Sequence, residues 1–67
     1  QPPATGAAAM IDSLGEVRTA IAPGQPGHVA TRGELWQAVA DEPIPEGTRV
    51  RVTRIDGLSL VVRIDRG

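Results

Sequence analysis

The chain of 67 residues has no cysteine, lysine, phenylalanine or tyrosine, and a single histidine, tryptophan and methionine. Without cysteine there are no disulfide staples, thiolate zinc sites or thiol chemistry. One histidine, His28, excludes a histidine-rich metal cluster. One aromatic, Trp36, leaves no row of stacking platforms for single-stranded nucleic acid. Seven arginines against eight acidic residues give a net charge of −1, without the positive excess of a protein that binds phosphate backbones. No stretch approaches the run of about 18 apolar residues that spans a bilayer. Residues 1–15 also lack the basic start and long apolar centre of a signal peptide. A beginning at Gln1, with Met10 the only methionine, predicts a fragment of a longer protein. A domain this small buries only about 60% of its unfolded surface, so its stability is modest.

What is present is turn chemistry and period-two alternation. Residues 1–6 hold two prolines and a glycine and read as an extended lead-in. Ala7 to Leu14 has the composition for one helical turn, too short to stand alone. Glu16 to Ile21 alternates, with Val17, Thr19 and Ile21 on one side. Pro23 to Gly27 is a dense turn cluster. His28 to Thr31 is a short strand, Gly33 suits a hairpin connection, and Glu34 to Ala40 is a further strand. Pro43 and Pro45 exclude a helix or ladder strand over 41–47 and make it a loop. Thr48 to Ile55 sets Val50 and Val52 against Arg49, Arg51 and Thr53. Asp56-Gly57 predicts a type I′ hairpin turn. Leu58 to Ile64 then places Leu58, Leu60, Val62 and Ile64 on one face. Arg54 beside Ile55 breaks the alternation and points to a bulge or strand end.

Five strands near 15–21, 28–32, 34–40, 48–55 and 58–65, with no βαβ spacing, predict an all-β domain closed into a small barrel. Closure would also remove aggregation-prone edges. Periodicity alone leaves the OB-fold and the SH3-like barrel both open. The expected core is Val17, Trp36, Ala38, Val50, Val52, Leu58, Leu60 and Val62, although Leu35 and Val39 make either face of the third strand eligible.

The ordered pieces Gly33-Glu34-Leu35-Trp36-Gln37-Ala38, Ile44-Pro45-Glu46-Gly47-Thr48-Arg49-Val50-Arg51-Val52 and Gly57-Leu58-Ser59-Leu60-Val61-Val62 follow Gly15-Glu16-Val17, Pro23-Gly24 and Gly27-His28-Val29. Together they resemble the C-terminal soluble domain of the NfeD family over roughly residues 4 to 64. The resemblance implies a five-stranded OB-like Greek-key barrel without the helix that most OB-folds carry between strands three and four. It implies a domain over 14–66, preceded by a flexible linker at 1–13 from a membrane-spanning upstream region. It also implies action alongside a stomatin- or flotillin-like membrane scaffold protein, with the barrel soluble at the cytoplasmic face. Long family members carry a ClpP-like protease domain at their N-terminus; these residues include no part of one.

Against that frame the chemistry-bearing residues are few. His28 at a strand start reads as a surface residue, because neither Ser13 nor Ser59 sits in a nucleophile-elbow context. Asp41, Glu42 and Glu46 lack calcium-loop spacing and read as a solvated loop. Asp12, Asp56 and Asp65 are isolated carboxylates. The turn glycines are no phosphate cradle, since a P-loop needs a lysine. No catalytic residue, metal ligand or cofactor is therefore assigned. Arg49, Arg51, Arg54 and Arg63 form one candidate interaction face, electropositive toward an acidic partner, anionic lipid headgroups or nucleic acid, against the favoured reading of a solvated strand face paired to Asp and Glu across the barrel. The favoured reading is a non-catalytic interaction module, monomeric when isolated. The alternative is an oligonucleotide-binding OB-fold, on fold analogy.

Overall fold

The computed structural model describes residues 10–67. Its five strands are β1 (Leu14–Thr19), β2 (Gly27–Thr31), β3 (Glu34–Val39), β4 (Arg49–Asp56) and β5 (Ser59–Ile64). They close in the order β1-β2-β3-β5-β4, with β4 returning to β1. All pairs are antiparallel except β3 with β5. This is the OB-like barrel, and loop 40–48 contains no helix.

Alternation builds the wall. Val17, Val29, Ala38, Val50, Val52, Leu60 and Val62 point inward and are buried. Thr31 is buried with them and donates its hydroxyl to the Leu14 carbonyl at 2.9 Å. The plugs come from outside the strands. Ile21 and Ile44 exchange backbone hydrogen bonds of 2.9 and 2.8 Å, tying the β1–β2 loop to the β3–β4 loop beyond the far end of β1. Both side chains are buried, with Ala40 beside them in the core cluster. Met10, before the opposite end of β1, fills the other side of the core.

Of the expected linker 1–13, residues 10–13 therefore pack and bond as part of the barrel. Asp12 N–H donates to the Val52 carbonyl at 2.8 Å, and Val52 N–H donates to the Ser13 carbonyl at 2.9 Å. The expected helical turn at 7–14 is reduced to one tight turn from Met10 to Ser13, and residues 7–9 lie outside the described residues.

Two bulges shift the register, one between Val17 and Thr19 and one between Val52 and Arg54. The second is the break anticipated at Arg54; there Thr53 donates its hydroxyl to the Val61 carbonyl at 3.1 Å. The first was not foreseen and turns Thr19 outward, away from the side shared with Val17 and Ile21.

Leu58 corrects the expected core. It is 92% exposed. The β4–β5 turn is Gly57-Leu58, closed by the pair Asp56 and Ser59, rather than Asp56-Gly57. Only Gly57 has positive φ, at 64°, which is the type II′ arrangement. A turn displaced by one residue leaves Leu58 at the tip instead of on the inner face. The β2–β3 turn is the type I′ one, with φ of 53° at Arg32 and 80° at Gly33.

Trp36 points inward, opposite Val29, but only part of the ring is covered; it packs against the core rather than inside it. Its indole N–H is buried with no hydrogen-bond partner among the described residues.

Two glycines permit the close crossings of so narrow a barrel. A Cβ on Gly27 would overlap the Thr19 carbonyl oxygen, and one on Gly15 would lie 2.7 Å from Val29 Cγ1. Both positions accept only glycine without backbone movement.

Candidate functional site

The sheet pairing decides where the four candidate arginines go. On β4, Arg49 and Arg51 alternate with the buried Val50 and Val52, so both face outward. Arg63 lies directly across from Arg51 on β5. The bulge at Thr53 restores Arg54 to the outer face opposite Val61, where strict alternation would have buried it. The four therefore share the outer surface of the β4–β5 ribbon.

They are not equivalent. Arg51 spends its guanidinium inside the molecule, 3.4 Å from Asp65 Oδ1, and also donates to the Asp12 carbonyl at 3.4 Å. That pair is partly covered, with side-chain exposures of 33% and 14%. Arg49, Arg54 and Arg63 make no ion pair among the described residues. Arg49 sits across the β1–β4 ladder from Glu16, whose carboxylate lies 3.9 Å from Arg18. The cation-rich strip thus continues onto β1. A groove of about 640 Å³ there is bordered by Arg18, Arg32 and Arg49, with Glu16 among them. Arg18 and Arg32 were not among the candidates, because their proximity to Arg49 depends on closure of β1 onto β4.

Two of the remaining polar side chains have structural partners. Glu42 pairs with Arg66 at 3.4 Å. Ser59 accepts a hydrogen bond from Gln37 Nε2 at 3.0 Å, joining the outer faces of β3 and β5. Among the described residues no hydrogen bond joins His28 to Ser13 or Ser59, and no three potential metal ligands cluster. No described helix is long and apolar enough to cross a membrane.

A different surface presents apolar side chains. Leu35 on β3 is 63% exposed, and Leu58 projects from the neighbouring hairpin tip. A docking surface of charge and apolar contact is what this arrangement offers chemically.

Comparison with known proteins identifies the family. Residues 7–63 match the family model of the NfeD-like C-terminal, partner-binding domain. Among solved structures, the chain is similar to the C-terminal domain of stomatin operon partner protein 1510-C from Pyrococcus horikoshii. The TM-score is 0.83 and the identity 38%, over 94% of this chain and 98% of that one. It is also similar to the soluble domain of a membrane protein implicated in regulation of membrane protease activity from Corynebacterium glutamicum. There the TM-score is 0.77 and the identity 25%, over 84% of this chain and 92% of that one. No curated protein gives a significant match. The chain belongs to the NfeD family, as its C-terminal, partner-binding domain.

Proposed function

We propose that this barrel is a non-catalytic module through which a membrane-anchored NfeD-type protein holds a stomatin- or flotillin-like scaffold protein. The observation that carries the reading is the family match to a partner-binding domain over residues 7–63, joined by likeness to the C-terminal domain of a stomatin operon partner protein. The barrel works at the cytoplasmic face, as a monomer, and a tether to the membrane raises the effective concentration of each partner. The contact itself need not be strong. Arg49, Arg54 and Arg63 supply its electrostatic part, facing acidic residues of the scaffold; Arg51 supports the face through Asp65.

Co-purification of the anchored parent protein, with and without residues 10–67, tests the module. Deletion abolishes scaffold association; unchanged association refutes the reading. Charge reversal at Arg49, Arg54 and Arg63 tests the face. It weakens association, and in the wild type added salt does the same, because exposed charges are screened over about 10 Å at 0.1 M. Deletion that matters while charge reversal does not would reject only the arginine face.

A further inference from the structure

The barrel closes, yet its seam is uneven. The parallel ladder between β3 and β5 is two residue pairs long, Ala38 with Leu60 and Val39 with Val61. Counting back from it, Gln37 lies beside Ser59, as their side-chain hydrogen bond confirms. Trp36 lies level with Leu58, at the hairpin tip. Glu34 and Leu35 extend past the tip, with β2 on one side and, among the described residues, no strand on the other.

The backbone of Leu35 is therefore open. The two-residue turn makes Thr31 and Glu34 a hydrogen-bonded pair, and along an antiparallel ladder such pairs alternate with non-bonded ones. Ala30 and Leu35 are then a non-bonded pair, and the amide and carbonyl of Leu35 point away from β2. No backbone group among the described residues bonds to them. Leucine side chains stand at both ends of this gap, Leu35 at 63% exposure and Leu58 at 92%. The type II′ turn, with Gly57 first, holds Leu58 outward.

We infer that this open edge of β3 is where the partner docks, by adding a short strand beside Leu35 whose apolar side chains cover Leu35 and Leu58. The inference rests on the partner-binding reading above and gives it a surface and a mode. Strand addition draws affinity from main-chain hydrogen bonds and specificity from alternate side chains. The occupant is an extended segment of the scaffold protein, apolar at alternate positions and carrying charges of both signs. The groove that Leu35 borders holds Arg18 beside Glu34 and Glu46, which such a segment complements. Size argues for a tethered partner over a second copy. A three-residue edge and one leucine cover a few hundred Å² at most, well below the roughly 600 Å² per side at the low end of stable complexes. A lipid surface has no strand to offer the Leu35 amide and carbonyl.

The experiment titrates the ¹⁵N-labelled 67-residue chain with overlapping peptides spanning the stomatin-like protein of the same cell, reading amide shifts and hydrogen exchange. At least one peptide shifts Leu35, Trp36 and Leu58 and slows exchange of the Leu35 amide at least ten-fold. Leu58→Ser, at a fully exposed tip, and Leu35→Ser each weaken that peptide at least ten-fold with the amide spectrum otherwise preserved. A peptide that binds without protecting Leu35, and binds both serine variants equally well, overturns the edge but leaves the partner reading intact. No binding by any peptide or by the whole scaffold protein overturns both. Protection of Leu35 that rises with the chain's own concentration overturns the edge in favour of a second copy. Leu58 broadening with phosphatidylglycerol vesicles, and with no peptide, overturns it in favour of a membrane contact.

Discussion

At the scale of the residue, Trp36 belongs to the core without being enclosed by it. Alternation left either face of β3 eligible, and the structure turns the Trp36 and Ala38 face inward. The ring is only partly covered, however, and its N–H is desolvated without a partner among the described residues. A buried unsatisfied donor costs about 1–3 kcal/mol, which offsets part of what the ring contributes. Trp36→Ala then destabilises by about 2–3 kcal/mol, toward the low end of the range for large aromatic truncations. Trp36→Phe removes the orphan N–H with most of the packing and leaves stability within about 1 kcal/mol of wild type. Urea unfolding of both variants checks this; a phenylalanine variant as damaged as the alanine one would mean that the N–H is satisfied in solution. The arginines carry the same lesson. Alternation placed Arg49, Arg51 and Arg63 together, but only the return of residue 65 beside β4 reveals that Arg51 is committed to Asp65.

At the scale of the element, the strands were legible because each has one wet face and one dry one. Observed bounds fall within a residue or two of those read from alternation. What alternation could not show came from segments without a period. Met10 and Ile44 are core residues in stretches that read as linker and loop, since a plug needs one apolar side chain and no repeat. Leu58 failed for the opposite reason: a period continued one residue into a turn. The glycines separate two kinds of turn requirement. Gly27→Ala drives a methyl into the carbonyls of Thr19 and Ala20 and costs about 3 kcal/mol, the upper end for overpacking. Gly24→Ala meets no atom within 4 Å and suffers only from its φ of 75°, a penalty of about 1–2 kcal/mol. Thermal melts of the two variants should differ in that order; equal losses would show that the β1–β2 crossing can relax.

At the scale of the whole molecule, topology and chemistry point different ways. The strand order is that of oligonucleotide-binding barrels, yet fold alone does not assign function. A net charge of −1, with a single half-covered aromatic, gives neither the cations nor the stacking surfaces that a single strand needs. Labelled oligonucleotides should bind the chain no more tightly than about 1 mM at roughly 150 mM salt. Saturable micromolar binding would reverse the order of the two readings.

The short β3–β5 seam also bears on time. It joins residues 22 apart in sequence, and the β1–β4 seam joins residues still further apart, so neither can form until a long loop has closed. Chains dominated by such pairings fold over milliseconds to seconds. The antiparallel ribbons β1–β2–β3 and β4–β5 are local and can assemble first, leaving the two-pair seam as the last stitch of folding and the first to loosen. A strand laid along Leu35 would brace that stitch, so an occupied domain should unfold more slowly than an empty one.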